Sequence, residues 1–138
     1  MNEFKTKLET ILRADTTLQT LLSKTATPYG IYYMKPPASP VFPLVAYKLI
    51  SGPVDDADRY SQTRSLILQI TAYSATNCDA TMEQVEKTIN EANAFSSMTT
   101  CDVLGIAIDT ASMEDFDVEF NIYTRTDRYR VFLSKIPT

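Results

Sequence analysis

Histidine is absent from this chain of 138 residues, and glycine occurs only three times. Without histidine, the chain cannot build an imidazole-based serine or cysteine triad, most zinc sites, or the most common general base. The glycines, Gly30, Gly52 and Gly105, are too scattered to form a phosphate-binding loop or a dinucleotide fingerprint. The composition therefore predicts a protein that is not an enzyme and that carries no cofactor.

Basic residues are also in short supply, because 13 Lys and Arg face 17 Asp and Glu, for a net charge of -4. A protein that grips duplex DNA normally carries a basic excess that neutralises phosphates. This balance of charges disfavours tight DNA binding but does not exclude a local basic patch.

Cysteine is limited to Cys78 and Cys101, which flank the strongest helical pattern of the chain. A helix of about 16 residues is about 24 Å long, whereas disulfide Cα atoms must lie within about 7 Å. We therefore expect free thiols, which suit a reducing cytoplasm. No apolar run approaches the roughly 20 residues of a membrane span, and the N-terminus lacks the pattern of a signal peptide. These features predict a protein made in the cytoplasm and without a membrane partner.

The length predicts a single domain spanning residues 1–138, with a core that needs no disulfide or metal. Residues 2–13 have the periodicity of an amphipathic helix. Its apolar face comprises Phe4, Leu8, Ile11 and Leu12. Asp15 is the expected N-cap of a second short helix, whose buried stripe comprises Leu18, Leu21 and Leu22.

Residues 24–43 contain five of the seven prolines and predict an extended connector, within which Ile31–Tyr33 could form a short edge strand. An SH3-type ligand is the less favoured alternative for this segment. The next two segments, Leu44–Ser51 and Arg64–Ser74, predict a long hairpin. The alternation of Leu66, Leu68, Ile70 and Ala72 gives the second strand one buried face.

The main helix is expected to begin at a cap formed by Thr76 or Asn77 and to extend to Phe95. Its apolar face, spaced by three or four residues, comprises Met82, Val85, Ile89, Ala92 and Phe95. A third strand is predicted over Val103–Asp109. The alternation changes parity before the last strand, so a turn or bulge is predicted near Thr124–Asp127. The expected fold class is α+β, with N-terminal helices and an antiparallel-dominated sheet of about four strands, one face of which carries the amphipathic helix.

Two acidic clusters are candidates for chemistry. The first lies in the loop Pro53–Thr63 and comprises Asp55, Asp56 and Asp58, with Arg59 beside them. The segment does not match the pattern of a calcium-binding loop counted from Asp56, because Ser61 and Ile67 occupy the positions that require Gly and Glu. A solvated hairpin tip is the favoured interpretation. The second cluster, Glu114, Asp115, Asp117 and Glu119, leaves a carboxylate pair for acid-base chemistry formally open, although nothing marks a substrate pocket.

Near the C-terminus, Arg125, Arg128 and Arg130 are interleaved with Tyr123 and Tyr129. Cations and aromatic rings in this arrangement can bind phosphates and stack on bases. The exposed face of a paired strand, with Asp127 as a counter-charge, is the favoured alternative given the acidic total.

The order of these segments resembles that of the tail terminator (tail completion) proteins of long-tailed bacteriophages. The opening Ala14-Asp15 turn followed by leucines resembles the family's start, and Pro43-Leu44-Val45-Ala46-Tyr47 resembles its entry into the first long strand. The strand Leu66–Tyr73, the helix Asn77–Phe95 and the closing strand Arg128–Leu133 follow in the same order. The acidic segment 114–119 and the long approach to the last strand depart from the pattern.

This resemblance implies a structural virion protein assembled in the host cytoplasm. It would cap the tail tube as a hexameric ring, end tail polymerisation and present the interface to which the head joins. The implied partners are further copies of itself, the tail tube protein, a head completion or connector protein, and DNA that passes through the bore without specific binding. The loop with Asp55, Asp56, Asp58 and Arg59 is the candidate for a subunit contact or a bore-facing element. The strand with Arg125, Arg128 and Arg130 is a candidate interface.

Two alternatives stay open at this point. One is another head-tail connector or minor tail protein with a similar small fold. The other is a small nucleic-acid-binding module that uses the C-terminal Arg/Tyr strand.

Overall fold

The computed structural model describes residues 2–22, 30–36, 38, 40–51, 63–91, 93–96, 98–99, 101–119 and 121–135. Its helices are α1 (Asn2–Ala14), α2 (Thr16–Leu21) and α3 (Asp79–Ile89). Its strands are β1 (Ile31–Tyr33), β2 (Leu44–Ser51), β3 (Thr63–Ser74), β4 (Cys101–Asp117) and β5 (Ile122–Lys135). The predicted α+β class is confirmed.

The strands form one five-stranded sheet in the order β1-β2-β3-β5-β4. Strand β1 runs parallel to β2, and every other neighbouring pair is antiparallel. The count exceeds the predicted four because the short segment Ile31–Tyr33 is a true edge strand. Strand β5 enters between β3 and β4, so the last strand of the chain lies in the interior of the sheet.

The N-terminal helices form where the sequence predicts them. Phe4, Leu8 and Leu12 of α1 are fully buried, which follows from their spacing along one face. Asp15 is the N-cap of α2, and its Oδ1 accepts a hydrogen bond of 2.9 Å from the backbone N–H of Leu18. This bond satisfies one of the donors that a helix start leaves unpaired. The two-helix interpretation of residues 2–21 is therefore confirmed.

All three helices place buried side chains against one face of the sheet, which we call the helix side. The residues of β3 that were predicted to share a buried face, Leu66, Leu68, Ile70 and Ala72, are all at most 3% exposed there. Met82, Val85 and Ile89 of α3 belong to the same apolar cluster. The predicted packing of the main helix on one face of the sheet is thus observed.

Helix α3 is shorter than the predicted segment at both ends. Cys78, not Thr76 or Asn77, is the N-cap and makes no side-chain capping bond, while Asn77 Oδ1 accepts a bond of 3.3 Å from the N–H of Asp79. The helix ends at Ile89, and Asn93 beyond it adopts a left-handed φ of 65° that cannot continue a helix. Phe95 still reaches the core, where its ring stacks on Phe4 at 5.0 Å. Ala92 lies outside the described residues.

The turn predicted near Thr124–Asp127 is wrong. Strand β5 pairs with β3 without a register shift from Tyr123 to Ser134. The chain turns between β4 and β5 instead, where Asn121 takes a φ of 55°, a conformation that Asn tolerates. The irregularities lie in β4, which extends well beyond the predicted Val103–Asp109 and shifts register against β5 at three places between Val103 and Met113.

Two further observations bear on the sequence-based expectations. Cys78 and Cys101 are both free and buried. Within the described ranges, no helix is long and apolar enough to cross a membrane.

Candidate assembly surface

The arginines of β5 do not form one basic patch. Their Cα partners on β3 are Ala72 for Arg125, Gln69 for Arg128 and Ile67 for Arg130. Because side chains alternate along a strand, Arg125 projects from the helix side, whereas Arg128 and Arg130 project from the opposite face, which we call the open side. The interpretation of this segment as a paired strand is confirmed, since β5 is hydrogen-bonded on both sides. Its backbone is therefore not available to extend the sheet.

Arg125 connects three elements on the helix side. Its guanidinium contacts Asp79 at the start of α3 at 3.0 Å, Asp127 on its own strand at 3.3 Å, and the Ser112 hydroxyl of β4 at 3.2 Å. Burial alone would lower the pKa of Arg125, but Asp127 and Asp79 outweigh that effect and raise it. Asp127 is itself 5% exposed and accepts a bond from the Tyr129 hydroxyl. The Arg125 guanidinium therefore serves to hold these elements of the fold together.

The arginines on the open side are also held by neighbours. Arg128 Nε donates to Gln69 Oε1 at 2.8 Å. Arg130 pairs with Asp109 of β4 at 3.1 Å, and both side chains are partly exposed. These contacts leave little free positive charge for phosphates, and a role of the three arginines in a partner interface stays a prediction.

The outer strand β4 carries a concentration of exposed apolar side chains. Leu104, Ile108 and Met113 are 60%, 64% and 59% exposed, and Val118, just beyond the strand, is 83% exposed. No strand of the described residues pairs with the outer edge of β4. A long strand with free backbone groups and apolar side chains is a template for pairing with another chain.

The second acidic cluster lies at the C-terminal end of this same strand. Glu114, Asp115 and Glu119 are exposed, and Asp117 is half-buried. Glu114 and Asp115 are consecutive residues of β4 and so project from opposite sides of the sheet. These two carboxylates therefore do not face each other, whereas Asp115 and Asp117 share the open side. On the helix side, Phe116 beside Glu114 packs on Tyr123 with ring centroids 4.8 Å apart.

The opposite edge of the sheet is β1. Tyr33 and Met34 are 39% and 59% exposed there. The ammonium of Lys5 on α1 lies 3.6 Å from the centre of the Tyr33 ring, a cation–π contact, and Lys35 is exposed just after the strand. The two edges of the sheet thus differ in charge, with carboxylates at the end of β4 and lysines around β1.

Two ionisable side chains, the partly buried Asp15 and the buried Tyr47, serve the helix packing. Asp15 Oδ2 accepts bonds from Thr88 Oγ1 and from Gln84 Nε2, the latter at 2.9 Å, which joins α2 to α3. Burial would raise the pKa of Asp15, but the bonds from Thr88, Leu18 and Gln84 outweigh it and hold the pKa below its ordinary value. Burial, and then the hydrogen bond that its hydroxyl donates to Glu9 of α1, raise the pKa of Tyr47.

Little in the described residues indicates a ligand-binding or metal-binding site. A cleft between residues 42–43 and the start of α3 is lined by apolar and neutral polar side chains. In the described part of the chain, no group of three or more Cys, Asp or Glu side chains is placed to hold a metal ion. Asp55, Asp56, Asp58 and Arg59 lie outside the described residues, as do residues 53–62 of their loop.

The exposed apolar residues of β4 were missed from the sequence. A signal is present, because Phe116 and Glu114 on one side alternate with Met113, Asp115 and Asp117 on the other. Mixed apolar and acidic side chains on both faces indicate a strand that no layer covers. That pattern also resembles an irregular segment, and for this reason the predicted third strand ends at Asp109.

Comparison with known proteins gives similarity in structure and none in sequence. No protein-family profile matches the chain, and no curated protein matches it in sequence. The fold is similar to that of a chain in the solved structure described as "Virion of native gene transfer agent (GTA) particle", with a TM-score of 0.68 and 16% sequence identity. The similarity covers 92% of this chain and 91% of that one. At this identity the match shows a shared fold.

Proposed function

We propose that this chain is a structural virion protein that caps the tail tube of a phage or phage-like particle. In this role the protein assembles as a hexameric ring, ends tail polymerisation and forms the interface to which the head joins. Its partners are further copies of itself, the tail tube protein and a head completion or connector protein. DNA passes through the bore without specific binding.

The observation that carries the proposal is the shared fold with a virion chain over more than nine-tenths of both chains. The element order of the tail terminator family, from the Asp15-capped helix to the C-terminal strand, supports the same role independently.

The surface of the molecule suits association better than catalysis. A closed ring requires head-to-tail contacts between two different patches of each copy. Within the described residues, no strand pairs with the outer edge of β1 or of β4, so these edges are two such patches. Backbone hydrogen bonds at strand edges can continue a sheet into a neighbouring chain. The net charge of -4 fits a bore through which DNA moves, because like charge keeps phosphates from adhering.

Deletion of the gene from the phage or phage-like element that encodes it tests this role. We expect tail tubes of uncontrolled length and heads that remain unjoined, both visible by negative-stain electron microscopy. A plasmid copy of the wild-type gene should restore tail length and joining. Particles of normal tail length with joined heads in the deletion strain would contradict the capping role.

Another head-tail connector or minor tail protein is the second candidate, because the name of the structural neighbour specifies a virion and not a component. The deletion experiment separates the two. Tails of normal length that fail to join heads would indicate a connector, whereas missing or fibreless tails would indicate a minor tail protein.

The nucleic-acid module is the third candidate and is weakened by the contacts of Arg125, Arg128 and Arg130 with acidic or amide partners. We expect duplex and single-stranded DNA to bind weakly, without sequence preference and only at low salt, because few phosphates can be neutralised. Titration at near-physiological salt measures this. Submicromolar affinity under those conditions would favour the nucleic-acid module over the capping role.

A further inference from the structure

The helix layer stops one strand short of the edge of the sheet. A helix is about 10 Å across and neighbouring strands lie about 4.8 Å apart, so one helix covers about two strands. Helix α1 lies over β1, where Lys5 contacts the Tyr33 ring, and over β2, whose Tyr47 hydroxyl donates to Glu9. Helix α3 contacts β5, and the short α2 contacts α1 and α3. The described helices therefore extend across the sheet only as far as β5.

The limit of this cover falls between β5 and β4. Tyr129 and Ile108 are Cα partners on the helix side, yet Tyr129 is 1% exposed and Ile108 is 64% exposed. Further along the same two strands, Arg125 is largely buried and its partner Glu114 is exposed. Phe116 follows on the same side and is 39% exposed. We call the helix-side residues Ile108, Glu114 and Phe116 the uncovered face of β4.

Helix α3 turns a row of carboxylates toward the uncovered face. Its Gln84 and Thr88 side chains point the other way, toward α2, because both donate hydrogen bonds to Asp15. The flank opposite these two residues carries three acidic side chains at positions i, i+4 and i+7 of the helix. We call these residues the acidic row: Asp79, Glu83 and Glu86.

Two interactions with β5 place the acidic row along the uncovered face. Asp79 contacts the guanidinium of Arg125 at 3.0 Å. Burial raises the pKa of the Tyr129 hydroxyl, and the charge of Glu86 raises it further. Both of these β5 residues are paired with residues of the uncovered face. The acidic row therefore stands above β5 and borders the vacant position over β4.

The surroundings of this position are acidic overall. The carboxylates of the acidic row and of Glu114 outnumber the neighbouring cation, Arg125, whose charge is shared with the buried Asp127. Lys87 of α3 lies about 100° around the helix from Glu86 and projects from its solvent face. An occupant of the vacant position therefore needs basic side chains on the flank that meets α3.

The vacant position also has the dimensions of a helix. Ile108 and Phe116 are level with Tyr129 and Tyr123, which are six residues apart on β5. The two apolar side chains are therefore about 20 Å apart along the strand, the length of a helix of about 13 residues. One apolar stripe on such a helix would cover both of them.

Among the described helices, a second copy of this chain has none to offer. The apolar side chains of α1 and α3, including Phe4, Leu8, Met82 and Val85, are fully buried in their own core. Helix α2 has only six residues. Two copies that met through this surface would also oppose one acidic row to the other, which is unfavourable. The occupant therefore comes from a different protein.

We propose that an amphipathic helix of another protein docks on the uncovered face of β4, beside α3. Its apolar side chains cover Ile108 and Phe116, and its basic side chains meet the acidic row. This contact goes beyond the proposed function, and it rests on that function only for the source of the helix, which is another protein of the particle.

Model peptides test the surface with the full-length protein. The probe is a fluorescently labelled peptide of about 14 residues, with Leu along one face of a helix and Lys on the rest. A second peptide has Glu in place of Lys. A third alternates Leu and Lys, which gives an apolar face only to a strand. By fluorescence anisotropy, the first peptide should bind with an affinity that falls with salt, and the other two about tenfold or more weakly.

The apolar contacts are tested by replacing exposed side chains on one side of the sheet. Ile108→Thr combined with Phe116→Thr should weaken binding of the Leu-Lys helix about fivefold or more, because the apolar area buried on docking is lost. Ile50→Thr combined with Phe132→Thr is the matched control, at exposed positions on the open side. The control should bind within about twofold of wild type. Circular dichroism checks that both variants fold.

The acidic row is tested by removing charge at constant size. Glu83→Gln combined with Glu86→Gln should weaken binding about threefold or more and flatten its salt dependence. Asp102→Asn combined with Asp115→Asn removes the same charge from the open side of β4 and should leave affinity and salt dependence close to those of wild type.

Three results would overturn the docking surface. The first is no binding of the Leu-Lys helix at low salt. The second is tighter binding of the alternating peptide, which would indicate pairing with the edge of β4. The third is an equal loss in either variant and its control, which would indicate general attraction of a basic peptide to an acidic protein.

These results are independent of the capping role. Loss of tail-length control in the deletion strain, together with any of the three results, would refute the docking surface and leave the capping role in place. A deletion without effect on tails, together with specific binding of the Leu-Lys helix, would refute the capping role and support the docking surface.

Discussion

The inner strands β2 and β3 and the outer strand β4 are built from similar apolar residues but differ in what covers them. Leu68 and Ile70 of β3 are fully buried beneath the helices, whereas Ile108 of β4, on the same side of the sheet, is 64% exposed. The difference arises from position, because β4 is the last strand in the sheet order and α3 contacts the strand before it, β5. Burial is what converts apolar area into stability. The covered half therefore holds the fold together, whereas the outer strand keeps its apolar side chains exposed.

The largest effect is expected from truncating the covered half. Ile89→Ala, at a position 2% exposed within the core cluster, should lower the free energy of unfolding by about 2–5 kcal/mol, because it leaves a cavity between α3 and the sheet. Urea denaturation followed by circular dichroism measures the loss. A loss well below about 1 kcal/mol would mean that the site relaxes without a cavity, and the contrast between the two halves would weaken.

A second effect is expected where the two halves are joined. Asp127→Ala removes the buried carboxylate that pairs with Arg125 and accepts from Tyr129, and should cost about 1–3 kcal/mol through the partners left unsatisfied. Thermal unfolding measures it. Asp115→Ala on the exposed end of β4 is the matched control and should leave the melting temperature of the isolated protein almost unchanged. Equal losses for both would contradict the joining role of Asp127.

A smaller, pH-dependent effect is expected at the helix junction. The folded pKa of Asp15 is held below its ordinary value, so its contribution is present above the unfolded pKa of about 3.9 and is lost as the pH falls through the folded pKa. Asp15→Asn keeps a good N-cap but cannot titrate. Between pH 5 and pH 2, wild type should therefore lose more stability than the variant, as measured by urea midpoints. Parallel pH profiles would assign the acid sensitivity to other carboxylates.

The smallest effect on stability is expected at the outer strand. Ile108→Ala removes the same side-chain atoms as Ile89→Ala, but at a position 64% exposed, and should change the free energy of unfolding by no more than about 0.5 kcal/mol. The free energies of unfolding of the two variants are compared in the same set of urea denaturation experiments. A loss at Ile108 comparable to that at Ile89 would show that β4 is covered in solution, for example by another copy.

Sequence patterns predicted the structure correctly where the residues that determine an element lie within that element. The Asp15 cap, the apolar face of α1 and the buried alternation of β3 all depend on residues within a few positions of one another. Of the stripe predicted for the second helix, Leu18 and Leu22 are buried and Leu21 is partly exposed. The predicted position of the main helix on one face of the sheet also holds, since a helix with one apolar face must cover the apolar face of a sheet.

Prediction failed where long-range pairing overrides the local pattern. The polar residues Arg125 and Asp127 interrupt the alternation of β5, yet the strand is continuous because each satisfies the other and β3 pairs with it throughout. The end of α3 was placed too late because Phe95 keeps the helical spacing, although it reaches Phe4 from beyond the helix. The strand edges proposed for assembly are likewise a result of strand order.

The sequence by itself determined which residues are apolar and on which face of an element they lie, because helical and strand periods are local properties of the backbone. It also determined the absence of histidine and the acidic balance, which disfavour imidazole-dependent chemistry and tight DNA binding. Only the tertiary structure decided that β5 enters between β3 and β4, that Arg125 faces away from Arg128 and Arg130, and that β1 and β4 are the outer strands of the described sheet. These outcomes depend on hydrogen bonds between strands that are far apart in the chain. A local sequence pattern shows which side chains share a face of a strand, but it does not show which strand lies next to it.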